Sequence, residues 1–257
     1  MSKYRHPIFL VPADRPKLSR LVAFLLGAAT TLAFAPFGLS LLAPLLLLPL
    51  LLIALTVAPR DAAAHAFWYG FGLVLTGTYW IYISVHIFGN AAPWIALLLM
   101  VGLALIMAAL LSLAGWLMSR LAGGEPWLLL LVAPSAWVLV EWLRGWVLTG
   151  FPWMAFGYGQ IDTGFAGWAP VLGVYGVSFM VVLSASALIA TVLAKSPGGR
   201  ILGGACVLLP WVVGVMLSSV AWAEPTGSPM RVSIVQAGVS QDKKWDRDHL
   251  LPIMQYY

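Results

Sequence analysis

The sequence predicts an all-α polytopic membrane bundle of about seven transmembrane helices, followed by the first strand and helix of an α/β domain. Three observations carry this reading. Of 257 residues, 61% are hydrophobic and 9% charged, against about 25% charged in a soluble domain. Apolar runs follow one another from residue 18 to residue 222 without strict apolar–polar alternation, which favours spanning helices over a transmembrane barrel. After Trp222 the chain turns polar and rich in turn formers.

Residues 1–17 read as a basic cytoplasmic tail, with Lys3, Arg5, Arg15 and Lys17, Arg20 just beyond, and Asp14 as its acid. Pro7, Pro12 and Pro16 argue against a helix before Lys17. Further apolar runs follow the first, so AFA at 33–35 reads as part of a retained span rather than a cleavage site. The expected spans are 18–35, 41–58, 66–88, 93–118, 126–148, 166–194 and 201–222. Each approaches or exceeds the ~20 residues needed to cross, the first two being short.

Charge tests the count. Alternating loops from a cytoplasmic N-terminus place nine basic residues inside: the five already named, Arg60, Arg120, Lys195 and Arg200. Before the C-terminal segment, Arg144 alone falls outside. That bias is the positive-inside pattern, and an even number of spans spoils it. Residues after Trp222 are therefore expected outside.

The net charge of +5 does not point to nucleic acid, because the basic residues are scattered through short loops. Cys206 is the one cysteine, which excludes a disulfide framework and a cysteine-based metal site. The four histidines are dispersed, and there is no Gly-rich phosphate loop or HExxH pattern. No metal or cofactor is expected.

Beyond the spans, residues 223–230 read as a linker containing EPTGSP. RVSIVQ at 231–236 is β-branched and reads as a strand. Asp248 can cap a short helix with Pro252 in its first turn. One strand and a piece of helix cannot bury a core alone, so 231–257 reads as the start of a domain.

The stretch 141–160, EWLRGWVLTGFPWMAFGYGQ, stands apart. Glu141 and Arg144 share a helix face inside an apolar run, where each charge costs a few kcal/mol, roughly 2.5–3.5 at the helix centre. Pairing would lower that cost. Two readings follow: Arg144 snorkels to the outer headgroups with Glu141 neutralising it, or the pair forms a polar site in which Arg144 holds a lipid phosphate. GFPW at 150–153 breaks the helix. Trp153, Phe156 and Tyr158 then lie at the depth of an aromatic belt. Gly150, Gly157 and Gly159 among them suggest a shaped re-entrant loop, which must be buried or line a cavity. Tyr79, Tyr82 and His86, at i, i+3 and i+7, can form a polar face near the same surface, although packing and belt anchoring also account for them.

EWLRGWVLTGFPW (141–153), FGYGQID (156–162) and GVYGVSF (173–179) together resemble the membrane part of apolipoprotein N-acyltransferases. LAFAPF (32–37), with GFG (70–72) and YWIYIS (79–84), resembles that family's first and third spans. SIVQ (233–236) with QDKKW (241–245) resembles the opening of its nitrilase-like extracytoplasmic domain. The resemblance covers nearly the whole chain. It implies a bacterial inner-membrane enzyme that moves an acyl chain from a phospholipid to the N-terminal S-diacylglyceryl-cysteine of a lipoprotein. It also implies a thioester on a nitrilase-type Cys, assisted by a Glu base and a Lys. Those three family residues are expected beyond residue 257, with Cys206 not the nucleophile, and the 257-residue chain is expected to be inactive alone. Matching motif positions are Arg144, Trp153, Tyr158, Gln160 and Trp245; with Glu141 they are the candidate substrate-binding residues. Two other readings remain, a non-catalytic anchor for another synthase and a transporter subunit, although no second half repeats the charged, broken helix that a transporter would carry.

Overall fold

The computed structural model describes residues 15–236, 238–240, 244 and 247–255. Its main helices are α1 (Pro16–Thr30), α2 (Leu42–Thr56), α3 (Pro59–Gly77), α4 (Trp80–Ile83), α5 (Pro93–Ala122), α6 (Pro126–Arg144), α7 (Ala169–Leu193), α8 (Pro197–Ser218) and a short α9 (Leu250–Met254). Six of them, α1, α3, α5, α6, α7 and α8, carry proline in the first two helical positions. Proline suits a helix start because its missing N–H would be unpartnered there anyway. At the other end of α5, Gly123 adopts φ +57 and closes the helix with a left-handed cap.

This is an all-helical integral membrane fold. Among the described residues, four segments are long and apolar enough to cross a membrane: α5, α6, Gly164–Leu193 and α8. A fifth is α3 taken with Trp80–Phe88, two pieces bent by 46°. Where the sequence predicts seven spans, the two earliest correspond to helices of 15 residues each. Proline and glycine in the intervening PFG segment keep the chain from extending either helix. The third expected span starts seven residues sooner than predicted, at Pro59. Its first turn accepts Asp61, which suits a helix N-terminus.

The predicted strand at 231–236 is not formed. RVSIVQ runs exposed and without regular structure, and no strand occurs among the described residues. A strand needs a partner to take its backbone hydrogen bonds, and no described segment supplies one. The predicted short helix is present as α9, preceded by a 3₁₀ turn at Arg247–His249.

The helices pack largely in chain order, α3 between α1 and α5, then α5 on α6, α6 on α7 and α7 on α8. The exception is α2, which lies against both α5 and α7 and buries Leu47, Leu50, Leu51 and Leu55 among them. Outward positions such as Leu98, Leu131, Ile201 and Leu208 remain exposed, as expected where lipid replaces water.

Small residues bring the α1–α3–α5 backbones together. A Cβ on Gly27 would collide with the Tyr69 carbonyl, one on Gly72 with the Phe24 carbonyl, and one on Gly115 with the Ala62 carbonyl. Close approach of this kind gives membrane helices their dispersion contacts, since lipid provides no hydrophobic drive between them. Polar pairs stitch α1 to α3 along the seam: Ser19 Oγ to His65 Nε2 at 2.9 Å, Thr30 Oγ1 to Tyr69 Oη at 2.8 Å, and Thr31 Oγ1 to Thr76 Oγ1 at 2.7 Å.

Replacing Gly72 with leucine is expected to separate α1 from α3 and lower stability by about 1–3 kcal/mol or more, the usual cost of overpacking. Gly102→Ala on α5, where an added Cβ meets nothing within 4 Å, is the matched control and should be neutral. Thermal unfolding of the detergent-solubilised variants checks both.

Candidate functional site

The α6 helix ends at Arg144, and the chain then doubles back under a short irregular segment. Leu148 (φ 53), Thr149 (φ 75) and Gly150 (φ 88) are consecutive left-handed residues, and Met154 (φ 63) is a fourth. Left-handed backbone is unfavourable for a β-branched residue such as Thr149 and persists only where surrounding contacts impose it. Here the Phe151 N–H donates to the Arg144 carbonyl at 2.6 Å. Gly150 lies so close to the Gly145 carbonyl that a Cβ would collide with it. Gly is required at 150 on both counts.

Two 3₁₀ segments follow, Phe156–Gln160 and Gly164–Trp168. The first is docked on α7: Gly157 sits against the Val174 carbonyl, and its N–H donates to Ser178 Oγ at 2.8 Å. On the other side Gly159 abuts Ala33 and Phe34. The segment is thus wedged between the turn after α1 and the start of α7, a placement that the glycines, which suggest only a shaped loop, do not specify.

Glu141 is the tie that holds it. Its Oε1 accepts from Trp137 Nε1 at 2.8 Å and from the Phe156 N–H at 2.9 Å. The Trp137 and Phe156 rings also meet, with centroids 4.5 Å apart. Glu141 is 1% exposed and Arg144 2% exposed, so both face the interior as expected. They are not, however, hydrogen-bonded to each other. Glu141 Oε2 and Arg144 Nε are each buried without a hydrogen-bond partner. The two opposite charges still act on each other through space, but no direct contact forms, because Glu141 Oε1 is taken by an indole on its own helix face and a backbone N–H of the loop.

Gln160 is also fully buried. Its Nε2 donates to the Ser40 carbonyl at 3.0 Å, while its Oε1 accepts from Thr163 Oγ1 at 3.1 Å. It joins the loop to the turn before α2. Trp153 and Tyr158 behave differently, being 49% and 54% exposed. Both line a cavity of about 660 Å³ walled by Phe34 and Phe37 of the α1–α2 turn, Thr76 at the end of α3, Tyr79 and Trp80 at the start of α4, and Met154. Trp153 stacks on Phe151 and meets Trp80, with centroids 5.1 Å and 5.8 Å apart. The six candidates therefore divide. Glu141, Arg144 and Gln160 are interior, Trp153 and Tyr158 face the cavity, and Trp245 lies outside the described residues.

The expected polar face on the third span is split as well. Tyr79 lines the cavity. Tyr82 and His86 contact each other at 5.4 Å, and His86 Nδ1 is 2.8 Å from the Ala91 carbonyl. That geometry satisfies His86 locally. Cys206 is partly exposed on α8, away from these residues in sequence and packing. No cluster of three or more His, Cys, Asp or Glu that could hold a metal occurs among the described residues.

Sequence reasoning missed Trp137, Ser178, Ser40 and Met154. Trp137 had a readable signal, since i to i+4 spacing places it over Glu141. The other three are brought in by tertiary contact. Met154 covers Gly77, where its thioether occupies the space a side chain would fill.

The comparisons with known proteins agree on one family. The model of the apolipoprotein N-acyltransferase N-terminal domain matches residues 26–187. The apolipoprotein N-acyltransferase of Azotobacter vinelandii is 44% identical over 243 residues, which is 90% of this chain and 45% of the relative. That of Pseudomonas putida is 40% identical over 240 residues, covering 90% of this chain and 46% of the relative. That of Methylococcus capsulatus is 38% identical over 240 residues, covering 92% and 47%. The chain spans about half the length of the curated relatives it matches. The matched region runs from within α1 into α7 and takes in the whole Glu141-tethered loop, and on this evidence the chain belongs to the apolipoprotein N-acyltransferase family.

Proposed function

We propose that these residues form the membrane part of an N-acyltransferase, which moves an acyl chain from a phospholipid to the N-terminal S-diacylglyceryl-cysteine of lipoproteins. The observation that carries the reading is the cavity of about 660 Å³ at the loop end of the bundle. Its volume falls within the ~300–1,000 Å³ of small-ligand sites. Its walls are mainly aromatic and apolar, with the Tyr158 and Thr76 side chains among the few polar groups. Such a lining suits an acyl chain. Trp153 and Tyr158 are the residues assigned to touch it, and by its family resemblance Trp245 is assigned contact with the acyl chain or the acceptor peptide.

Glu141 and Gln160 serve this site as positioning residues, because both spend their polar atoms on the loop and its supports. Arg144 is assigned the donor headgroup. Its guanidinium carries a positive charge and a buried Nε with no hydrogen-bond partner, which leaves capacity for a phosphate. Its low exposure requires the 147–154 segment to shift when a headgroup is bound, and the left-handed residues there make the present conformation costly to keep.

The topology consistent with this function has seven spans, an N-terminus in the cytoplasm and the segment after α8 in the periplasm, with the bundle in the bacterial inner membrane. The nine-to-one charge bias across the loops supports it. The two 15-residue helices then count as short crossings. Residues 231–257 open the nitrilase-like domain, and acyl transfer needs that domain's Glu, Lys and Cys. The 257-residue chain by itself is therefore assigned no transfer activity. Product formed by the purified chain on a diacylated lipopeptide would refute that assignment.

Three measurements test the site, two of them in a full-length version of the enzyme. Arg144→Ala should lower turnover roughly tenfold or more, the scale of a lost charge-assisted contact, with membrane insertion unchanged. Unaltered turnover removes the headgroup role. Trp153→Ala should raise KM for the phospholipid donor several-fold, roughly the 1–3 kcal/mol range of lost apolar contact, and a shift in kcat alone would argue against an acyl-chain wall. In the present chain, Glu141→Ala strands the Trp137 indole and the Phe156 N–H, which should cost roughly 1–3 kcal/mol. Glu141→Gln keeps an acceptor for both and should retain most of the stability, as read by thermal unfolding.

A further inference from the structure

The α1 and α3 helices run side by side, and a second cavity lies at the opposite end of the pair from the acyl-chain cavity. It measures about 400 Å³ and is lined by Lys17, Arg20, Leu21 and Phe24 of α1 with Trp68 and Phe71 of α3. The arrangement is graded along the helix. Lys17 and Arg20 stand in the first turns of α1, and Phe24 lies seven residues past Lys17, about 10 Å deeper along the axis. Phe24 and Phe71 meet at 5.8 Å, Trp68 and Phe71 at 6.0 Å, which makes the deep end a continuous aromatic wall.

Two features ask for a ligand. Arg20 Nε is buried and has no hydrogen-bond partner, and among the described residues no acidic side chain lines the cavity. Two cations at a mouth that opens onto an apolar, aromatic interior match a molecule with an anion joined to a hydrocarbon chain. A soluble anion would leave the aromatic wall unused, and a neutral lipid would leave the cations uncompensated. Basic pockets between membrane helices are a recurring form of anionic lipid recognition.

We propose that this groove is a binding site for one anionic phospholipid, distinct from the acyl donor. The phosphate sits on Lys17 and Arg20, and one acyl chain lies along Phe24, Trp68 and Phe71. The site bears on the α1–α3 seam, because Ser19, between the two cations in sequence, bonds His65 of α3. A lipid held there braces the same helix pair whose far ends, Thr31 and Thr76, line the acyl-chain cavity.

The experiment is native mass spectrometry of the whole 257-residue chain in a neutral detergent, titrated with phosphatidylglycerol and, separately, phosphatidylcholine. Detergent solution makes the readout independent of membrane orientation and of acyl transfer, so failure of the proposed function leaves it interpretable. One phosphatidylglycerol should be retained in preference to phosphatidylcholine. Lys17→Gln with Arg20→Gln should weaken retention about tenfold or more, given roughly a factor of five for each surface cation. Lys195→Gln with Arg200→Gln removes equal charge from another loop at the same end and should leave retention unchanged. Trp68→Ala, with both cations intact, should weaken phosphatidylglycerol several-fold. Equal retention of the two lipids, equal loss in the two double variants, or displacement by millimolar inorganic phosphate would each overturn the proposal. A thermal midpoint within a few degrees of wild type qualifies each variant as folded, and Trp68→Ala decides the matter if the double variant does not fold.

Discussion

One carboxylate in an apolar bundle sets the shape of the loop end. Glu141 Oε1 takes a hydrogen bond from the indole one turn back on its own helix and another from the backbone of Phe156, fifteen residues ahead. Water cannot compete for these groups at 1% exposure, and in low dielectric an unsatisfied N–H would be costly. The bond therefore closes a loop that glycine and proline merely permit to turn. The left-handed residues, the docking of Gly157 on α7 and the Gln160 link to Ser40 all follow once Phe156 is pinned.

The rest of the bundle provides a floor for that closure. Glycines let α1, α3 and α5 approach to backbone contact, and α2 fills the space between α5 and α7 with leucines. On the far side, α8 buries little besides Gly203, Pro210 and Gly214. It nevertheless anchors the second 3₁₀ segment, through Gly167 against the Gly214 carbonyl and Trp168 Nε1 donating to the Pro210 carbonyl at 2.7 Å. The loop is thus held from three directions by helices whose own packing is set by small residues.

Much of this was legible beforehand, and the failures have physical causes. The helix starts at Pro93 and Pro126 could be read from the sequence, those at Pro59 and Pro197 lie earlier than predicted, and the helix break could be read from GFPW. The inward direction of Glu141 and Arg144 followed from the cost of charge in an apolar run. Their charges compensate each other without touching, since spacing reports which face two residues share and says nothing of competing donors elsewhere in the fold. Gln160 read as a candidate ligand contact because its motif is distinctive, yet its amide is consumed by Ser40 and Thr163. RVSIVQ carried strand propensity without a neighbour to pair with, and propensity alone does not form a sheet. Trp153 and Tyr158 were expected near a surface, and only tertiary structure places them in one wall with Phe34 and Tyr79.

The brevity of α1 and α2 has a consequence for the lipid around them. Fifteen residues rise about 22 Å, whereas a hydrocarbon core is roughly 30 Å thick. In the proposed seven-span topology, where both helices cross, a bilayer meeting that side of the bundle thins or lets flanking groups reach inward, at a cost of fractions of a kcal/mol per Å. The turn joining the two helices carries Phe34 and Phe37 into the wall of the larger cavity. Lipids that border this cavity consequently stand in the thinned part of the sheet, where a chain that leaves its neighbours gives up less apolar depth than it would elsewhere.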